Sequence, residues 1–482
     1  MGFTTQTFLF VFFPLCMMGY GVLDVAGRLG RFGKLLAKIR LKDLTLIVFS
    51  LCFYMWAVRF DAVLLLGYSL LVYLCGVLIG IYKHKERSKT AKICTVIGVV
   101  ALLICLIYYK YTNFIVKVIT GFLQTDFTIG SIMAPLGISF ITFSAISYLV
   151  DVYRGKATHG SVIDCLLYIT FFPKVVSGPI VLWKDFQPQI QNRSMSLEQS
   201  IQGINRIMIG FAKKILLADV FGACLAQIGN ENLDAITILG SILLYFLQIY
   251  YDFAGYSDIA IGISNLFGFR FSNNFNFPYR STSISEFWRH WHISLGTWFR
   301  EYVYFPLGGS RVSTLKTLRN LGIVFALTGI WHGAGWNYII WGGINAVAVL
   351  AERLLQNTKI YQKTPKWIKY IVTMGIVLFF WQFFRFQSVS EIVRLFGMLF
   401  SNGGEPAIAW QYYFDLRVII FAVIGVLGAT VLGDPRVVAL YQKWSAKPWF
   451  YVVQELVLLI LFVLSVLFMV NSTYSPFIYF QY

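Results

Sequence analysis

Residues 287–311, FWRHWHISLGTWFREYVYFPLGGSR, bring two histidines, three arginines, one glutamate and eight aromatic residues together in a chain that is mostly apolar. A neutral imidazole can bind or orient a substrate, because one ring nitrogen donates a hydrogen bond and the other accepts one. Arginines beside a membrane also extend simply to reach lipid headgroups. The residue types alone therefore leave two interpretations open, a reactive polar site and an interfacial helix.

The periodicity of this stretch predicts one amphipathic helix. Its apolar face, at three- and four-residue spacing, consists of Trp288, Trp291, Leu295, Trp298 and Tyr302. A second face, at about 100° per residue, consists of Arg289, His292, Gly296 and Arg300. A capping box at Ser283 and Glu286 is predicted to begin the helix, and Pro306 with the following glycines to end it. On such a helix two arginines flank His292, and their like charges favour a neutral imidazole.

A second candidate is His332, within LTGIWHGAGWNYIIWGGINA at residues 327–346. An ionisable side chain at membrane depth costs about 2.5–3.5 kcal/mol when charged, so it is a functional hypothesis by default. Burial favours the neutral imidazole, which can accept a proton. The alternative is a neutral histidine that bonds a backbone carbonyl. Gly333, Gly335 and Gly343 are predicted to leave room near His332 for a ligand or for backbone. Trp331, Trp336 and Trp341 could wall a pocket or serve in plain packing.

Composition predicts that these residues lie in an all-α, polytopic membrane helical bundle. The 482-residue chain is 58% hydrophobic and 13% charged, whereas soluble chains carry roughly 25% charged residues. Candidate spans are residues 5–25, 44–59, 62–82, 93–109, 130–152, 163–183, 203–228, 235–253, 318–334, 337–355, 368–386, 414–432 and 449–470. Residues 254–315 are too polar to face lipid and predict broken or re-entrant helices. No linker divides the chain, so residues 1–482 are predicted to form a single membrane domain.

The net charge of +18 indicates membrane orientation rather than nucleic-acid binding, because the positive residues form short blocks between apolar runs. The blocks at residues 28–42, 83–92, 154–156 and 436–447 are predicted to be cytoplasmic. Both termini are then extracytoplasmic, and the number of complete crossings is even. Residues 7–25 lack a basic segment before the apolar run and are predicted to be a retained first span rather than a signal peptide.

Other kinds of chemistry find little support in the sequence. The seven cysteines lie in or beside apolar runs without metal-ligand spacing, so neither a disulfide framework nor a metal site is predicted. Phosphate-loop, zinc-protease and dinucleotide fingerprints are absent from the sequence. Asp252 and Asp258 are six residues apart, a poor spacing for one helical face, and are predicted to pair with arginines or to cap broken helices.

Several stretches together resemble the membrane-bound O-acyltransferase superfamily and, within it, the alginate O-acetyltransferase membrane subunits. They are YDFAGYSDIAIGISNLFGFRFSNNFNFPYRSTSISEFWRHWHISLGTWFREYVYFPLGGSR at 251–311, WHGAGWN at 331–337, FFPKVVSGPIVLWKDFQPQI at 171–190 and the tail SPFIYFQY. The resemblance covers nearly the whole chain and is densest between residues 129 and 345. It implies a helical fold around a funnel, and acyl transfer from a cytosolic thioester to an acceptor across the membrane.

The resemblance also implies roles for individual residues. The essential histidine of the family maps onto His332, and a second family histidine maps onto His292. The family commonly has arginine where His290 stands, so His290 receives no role. The predicted substrate-binding residues are Arg289, Arg300, Trp331 and Asn337. In thioester acyl transfer His332 would act as the base. His292, Asn337 or a backbone N–H near the glycines would donate to the oxyanion. Arg289 and Arg300, with Arg311, Lys316 and Arg319, would hold the phosphates of coenzyme A.

Three hypotheses of function follow. The leading one is a bacterial inner-membrane O-acetyltransferase subunit. It would use acetyl-CoA for O-acetylation of an exported or cell-wall polysaccharide and pass the acetyl group to an extracytoplasmic or membrane-tethered acyltransferase. The second is D-alanyl transfer from a carrier protein to teichoic acid, against which the chain length and the alginate-type stretches argue. The third is a proton-coupled transporter, which would cleave no thioester.

Overall fold

A computed structural model describes residues 2–27, 29, 38–58, 61–193, 196–229, 233–400 and 408–471. Throughout these ranges the secondary structure is helical or irregular, without strands. The predicted all-α class is confirmed. The chain divides into two compact units, Met1–Ile207 with Ile259–Ser272, and Met208–Asp258 with Asn273–Tyr482. The single membrane domain and the funnel stay predictions.

The first unit is built from the helices of the N-terminal half. They are α1 (Phe13–Ala26), α2 (Leu41–Ala57), α3 (Asp61–His84), α4 (Ser88–Leu123), α5 (Ile138–Arg154), α6 (Val162–Thr170), α7 (Phe172–Val175) and α8 (Trp183–Asn192). Residues Phe8–Phe12 form a π-helical turn before α1. Helix α5 is buried along almost its whole length, which is typical of a helix at the centre of a bundle.

Two helices contribute residues to both units, α9 (Leu197–Phe211) and α11 (Ala235–Leu266). The second unit adds α10 (Asp219–Gln227), α12 (Ile284–His290), α13 (Ile293–Phe299), α14 (Thr314–His332), α15 (Trp336–Leu355), α16 (Lys359–Lys363), α17 (Lys366–Arg385), α18 (Val389–Phe400), α19 (Trp410–Tyr413), α20 (Leu416–Thr430), α21 (Pro435–Ser445) and α22 (Pro448–Asn471). Residues Ala212–Ala218 and Arg300–Tyr304 are π-helical, and Pro278–Arg280 and Val431–Gly433 form 3₁₀ turns.

Eight helices in the described part of the chain are long and apolar enough to cross a membrane. They are Phe8–Ala26, Asp61–His84, Ser88–Leu123, Ala235–Leu266, Trp336–Leu355, Lys366–Arg385, Leu416–Gly433 and Pro448–Asn471. Together with the family relationship reported below, they make this a multi-pass membrane protein. Five predicted spans are not among the eight, namely residues 44–59, 130–152, 163–183, 203–228 and 318–334.

The structure explains three of these five differences. Helices α2 and α5 have 17 residues each. At 1.5 Å per residue they reach about 26 Å, less than the roughly 30 Å of a bilayer core. Residues 163–183 are divided between α6, the short α7 and an extended segment, so no long helix forms there.

A buried ion cluster joins the π-helical turn Ala212–Ala218 to α10 and α11 in the second unit. Lys214 Nζ lies 2.5 Å from Asp219 Oδ1 and 2.8 Å from Asp252 Oδ1, and all three side chains are almost fully buried. The neighbouring Lys213 lies 2.7 Å from Asp258 Oδ2 at a more accessible position. Burial alone would lower the pKa of Lys214, but the two carboxylates outweigh burial, so its pKa is raised and it stays charged.

Asp252 and Asp258, predicted to pair with arginines or to cap broken helices, form ion pairs with the adjacent lysines Lys214 and Lys213. Two consecutive lysines of the π-helical turn pair with carboxylates six residues apart on α11. The turn packs closely on α11, since a Cβ on Gly255 would lie 2.8 Å from Gly210 O and 3.0 Å from Lys214 N. Glycine at position 255 therefore permits the approach that brings the lysines to their partners.

Candidate active site

The predicted helix through residues 283–305 is interrupted at His292. Helix α12 ends at His290, Trp291 is extended, and His292 adopts a left-handed conformation with φ 45° before α13 begins at Ile293. The prediction of one continuous helix was wrong here. Backbone hydrogen bonds to residues 274–276 account for the break, because Ile293 N–H donates to Asn274 O at 2.9 Å and Asn276 N–H donates to His290 O at 3.0 Å. Tertiary hydrogen bonds of this kind override helical periodicity.

The ends of the segment agree better with the sequence. Ser283 Oγ accepts a hydrogen bond from Glu286 N–H at 3.0 Å, as the predicted cap requires. The Glu286 carboxylate accepts from Thr282 N–H at 2.7 Å rather than from Ser283, so the capping box is shifted by one residue on that side. After the π-helical turn Arg300–Tyr304 the chain turns at Gly308 and Gly309, both of which have positive φ.

The break separates side chains that were predicted to share one face. His292 is buried with 2% of its surface exposed, whereas Arg289 and Arg300 are exposed. Arg300 donates to Thr297 Oγ1 at 3.3 Å. Burial lowers the pKa of His292 to about 3, so its imidazole is neutral at physiological pH. The predicted neutral state agrees with this result, but the cause is burial and not the flanking arginines.

His292 is held by a hydrogen bond and by ring packing. Its Nδ1 is 3.1 Å from Asn274 Oδ1, and its ring packs edge-on against Phe253, with centroids 4.6 Å apart. The Trp331 ring lies 6.2 Å away. Asn274 was not found from the sequence. The only signal was its place in FSNNFNF at residues 271–277, a polar stretch of a chain that is otherwise apolar.

His332 is the last residue of α14 and is 7% exposed. Aromatic rings surround its imidazole. Centroid distances are 4.9 Å to Trp331, 5.1 Å to Trp341 and 5.0 Å to Phe384, each in an edge-on arrangement. Such a largely apolar enclosure excludes water and holds the ring in one orientation, two conditions that acid–base chemistry on a buried substrate requires.

A close crossing of α14 and α15 positions His332. A Cβ on Gly329 would lie 2.9 Å from Gly342 Cα, and a Cβ on Gly342 would lie 2.7 Å from Phe325 O. Glycine at both positions therefore lets the two helices approach with their backbones nearly in contact. Residues 333–335 connect the helices, with Gly333 and Gly335 extended, so the helix pair fixes His332 at the turn.

The glycines near His332 leave less room than predicted. A Cβ on Gly333 would collide with the Tyr338 ring, and one on Gly335 would lie 2.5 Å from Asn337 Oδ1. Only Gly343 of the three has open space beside it, since a Cβ added there would meet no atom within 4 Å. The predicted room for a ligand beside Gly333 and Gly335 is filled by neighbouring side chains.

The indole of Trp331 lies beside both candidate histidines. Because the His292 and His332 rings each contact Trp331, the structure brings these three predicted residues into one buried cluster of the second unit. Trp341 walls the same cluster and is fully buried, whereas Trp336 is 58% exposed and does not. Two imidazoles with different partners around one indole can divide proton transfer and substrate orientation between them.

Asn337 has a structural task in this arrangement. Its Nδ2 donates to Phe383 O at 3.0 Å and to Phe386 O at 3.3 Å, so it bonds carbonyls at the C-terminal end of α17. Both amide hydrogens are engaged there. This bonding holds α17, which carries Phe384, against α15. The predicted role of Asn337 in substrate binding stays a prediction.

Exposed cationic side chains lie on both sides of His292 in the sequence and precede His332. Those predicted to hold phosphates are all exposed, namely Arg289, Arg300, Arg311, Lys316 and Arg319. Arg319 donates to Asn320 Oδ1 at 2.9 Å, and Asn320 in turn donates to the carbonyls of Leu307 and Gly309. Asn320 therefore ties the turn after residue 304 to the start of α14, which orders a segment that carries several of the cations.

The described residues contain no group of three or more His, Cys, Asp or Glu side chains placed to hold a metal ion. The buried carboxylates of Asp219 and Asp252 already have a cation between them, the ammonium of Lys214.

Comparison with known proteins gives a consistent result. A sequence profile of the membrane-bound O-acyltransferase family matches residues 78–390, which include both histidines. The chain is 35% identical to the probable alginate O-acetylase AlgI of Pseudomonas aeruginosa over the full length of both proteins. It is 31% identical to the peptidoglycan O-acetyltransferase of Helicobacter pylori, over 83% of this chain and 80% of that protein. The teichoic acid D-alanyltransferase of Bacillus subtilis is 32% identical over 52% of this chain and 67% of its own length.

Proposed function

The chain belongs to the membrane-bound O-acyltransferase family and is an O-acyltransferase; from this premise we propose that it transfers acetyl from cytosolic acetyl-CoA toward an exported or cell-wall polysaccharide. The observation that carries the proposal is the buried cluster of His332, Trp331 and His292 within the family-matched region. Full-length similarity to alginate O-acetylases supports acetyl as the acyl group and a polysaccharide as the final acceptor.

The reaction joins an acetyl carbonyl carbon to an acceptor oxygen. The hydroxyl oxygen attacks the thioester carbon, the carbon–sulfur bond breaks, and the hydroxyl proton ends on the thiolate of CoA. His332 takes this proton as the hydroxyl attacks and returns it to the sulfur. Its aromatic enclosure keeps water from competing for the acetyl group. A backbone N–H of the turn at residues 333–335 supplies the donor for the developing oxyanion.

The exposed cations hold the acyl donor. Coenzyme A carries several phosphate charges, and arginine binds phosphate through two parallel N–H donors. Arg289 and Arg300 lie on segments that flank His292, outside the buried cluster. The phosphates therefore stay at the cationic surface while the flexible pantetheine arm brings the thioester to the histidines.

The direct test of this proposal is acyl transfer by the purified protein. Protein reconstituted into sealed lipid vesicles is given acetyl-CoA with a labelled acetyl group or, separately, labelled D-alanyl carrier protein. Loss of acetyl from CoA that depends on the protein and is unaffected by an uncoupler supports the proposal. Turnover of D-alanyl carrier alone would support the second family activity, for which the partial similarity to teichoic acid D-alanyltransferases is the specific reason. Gradient-dependent uptake without thioester cleavage would support the transporter hypothesis.

The chain is proposed to lie in the bacterial inner membrane with both termini extracytoplasmic. This orientation rests on the basic loops, of which the one at residues 28–42 is only partly described and the tail after residue 471 lies outside the described residues. The loop between Asp61–His84 and Ser88–Leu123 is short and exposed, and the basic residues of the block at 83–92 lie in it and on the adjoining helix ends. Positive residues in such short loops are retained on the cytoplasmic side.

A single cysteine at position 85 tests the orientation. In a variant without native cysteines, Lys85→Cys is expected not to react with an impermeant maleimide in intact cells. It should react once the cells are broken and the reagent reaches the cytoplasmic face of the membrane. Asp415→Cys, before the span Leu416–Gly433, provides a second exposed position for comparison. Labelling of position 85 in intact cells would reverse the proposed orientation.

We expect the acetyl group to pass to the polymer through an extracytoplasmic or membrane-tethered acyltransferase partner. The donor and the polymer are separated by about 30 Å of hydrocarbon. CoA has a narrow, flexible arm, but a polysaccharide is too bulky to reach an imidazole that is 7% exposed. This chain alone, given acetyl-CoA and polysaccharide, is therefore expected to acetylate the polymer slowly. Full-rate acetylation without any partner would contradict the relay.

A further inference from the structure

The orientation of the Asn274 side-chain amide is determined by its neighbours. Its Oδ1 lies 3.2 Å from Ser294 N and 2.9 Å from Ser294 Oγ, while its Nδ2 donates to Ser257 Oγ at 3.0 Å. A backbone N–H is only a donor, so the atom facing Ser294 N must be the amide oxygen. Both Asn274 and Ser257 are about 99% buried, so these protein contacts rather than bulk solvent determine the orientation of the amide.

This amide orientation determines which nitrogen of His292 carries hydrogen. Nδ1 of His292 lies 3.1 Å from Asn274 Oδ1, an acceptor, and 3.4 Å from Ser294 Oγ, whose hydrogen is directed to Asn274 Oδ1 at the shorter distance of 2.9 Å, so Nδ1 is the donor. A neutral imidazole has only one N–H, so Nε2 then carries a lone pair. Nε2 is buried and has no hydrogen-bond partner among the described residues. An unsatisfied buried acceptor costs about 1–3 kcal/mol, and such groups in native structures call for an explanation.

We propose that Asn274 is a positioning residue that holds His292 in the Nδ1–H tautomer, so that Nε2 meets the substrate as an acceptor. The inference rests on the proposed function and deepens it. The groups that fit Nε2 are donors, namely the acceptor hydroxyl or an amide N–H of the pantetheine arm. His292 in this tautomer cannot donate to the oxyanion, which leaves that task to backbone N–H groups. The oxyanion role that the sequence offered for His292 is thereby replaced by an acceptor role.

The backbone of His292 supports the same conclusion. A left-handed conformation of a residue other than glycine costs of order 1–3 kcal/mol and persists only when surrounding contacts enforce it. Two backbone hydrogen bonds between residues 274–276 and 290–293 enforce it here. Asn274 thus bonds the His292 segment through both its main chain and its side chain, so residue 274 controls the position of the ring as well as its tautomer.

The tautomer can be measured without any assay of activity. The chain has five histidines, and protein labelled with ¹⁵N-histidine in lipid gives their ring nitrogen shifts by solid-state NMR. His292→Gln identifies the signal by its loss. We expect wild-type His292 to show a protonated Nδ1 and an unprotonated Nε2 throughout pH 5–8. Protonation of His292 at Nε2, or titration of His292 near pH 6.5, would overturn the proposal.

Substitutions of Asn274 separate positioning from packing. Asn274→Leu keeps the side-chain volume but removes the acceptor, so the Nδ1–H tautomer should no longer dominate. Asn274→Asp keeps an acceptor and adds a charge, which favours imidazolium and should move the titration of His292 to higher pH. Asn345→Leu is the matched control, because Asn345 is buried and bonds only Trp341 O in its own helix. Unchanged His292 shifts in both Asn274 variants would overturn the proposal, and the Asp variant decides alone if the Leu variant does not fold.

Activity provides the second measurement. Asn274→Leu is expected to lower kcat for acetyl transfer by about 10–100-fold, the effect typical of losing a partner that orients an imidazole. In Asn274→Asp the acidic limb of the pH–activity profile should move to higher pH, a change that loss of packing would not cause. If the chain does not use acetyl-CoA, all variants are inactive while the NMR result stands, so the two failures are distinguishable.

Discussion

His332→Gln is expected to lower acetyl transfer by about 10²–10⁴-fold, because the base for the attacking hydroxyl is lost. Glutamine fills a similar volume among the Trp331, Trp341 and Phe384 rings but does not titrate near neutral pH. The protein should therefore remain folded and embedded in membrane. The measurement is initial-rate loss of labelled acetyl from acetyl-CoA, compared at equal amounts of monodisperse protein.

A histidine close in sequence provides the control for this change. His290 precedes the break at His292, is only partly buried and has no assigned role. His290→Gln should retain most of the activity. Normal transfer by His332→Gln, or an equal loss in both variants, would contradict the assignment of His332 as the base.

Lys214→Met is expected to destabilise the protein by about 3–5 kcal/mol. The change leaves the carboxylates of Asp219 and Asp252 buried without the positive charge between them. Methionine keeps most of the side-chain volume, so the loss reports charge rather than packing. The measurement is thermal unfolding in detergent, monitored as the fraction of protein that stays monodisperse after heating. The midpoint temperature should fall by several degrees.

Two comparisons test the electrostatic cause of this loss. Lys213→Met removes a lysine from the same π-helical turn, but its partner Asp258 is more accessible, so a smaller shift is expected. Combining Lys214→Met with Asp219→Asn and Asp252→Asn removes the two buried carboxylates and should restore part of the stability. A shift for Lys213→Met as large as that for Lys214→Met would contradict the expected difference in burial.

The sequence predicts that the protein lies in a membrane and that His292 and His332 are candidate site residues. These predictions depend on composition and on side-chain types that need no partner to be recognised. An apolar chain with 13% charged residues has few alternatives to a helical bundle in lipid. His332 is conspicuous because an ionisable residue is rare in an apolar run. The resemblance then added the reaction type, and the family comparison confirms it.

The break at His292 was beyond prediction from periodicity. The spacing of its neighbours fits a helix, and only bonds from residues 274–276, about 16 positions earlier, prevent one. Asn274 was missed for the same reason, since its importance depends on a contact 18 residues away. The lysine partners of Asp252 and Asp258 lie on another element, the turn Ala212–Ala218, so residue spacing along α11 does not reveal them.

The measurement that tests the central claim most directly is movement of acetyl across a sealed membrane. Inverted vesicles with the cytoplasmic face outward, made from cells with the complete acetylation system, are given acetyl-CoA labelled differently in its acetyl and adenine parts. The account predicts that acetyl label appears inside as alkali-labile ester while the adenine label stays outside, and that His332→Gln vesicles accumulate neither. Equal accumulation of both labels inside, or acetyl ester formed equally by His332→Gln vesicles, would contradict it.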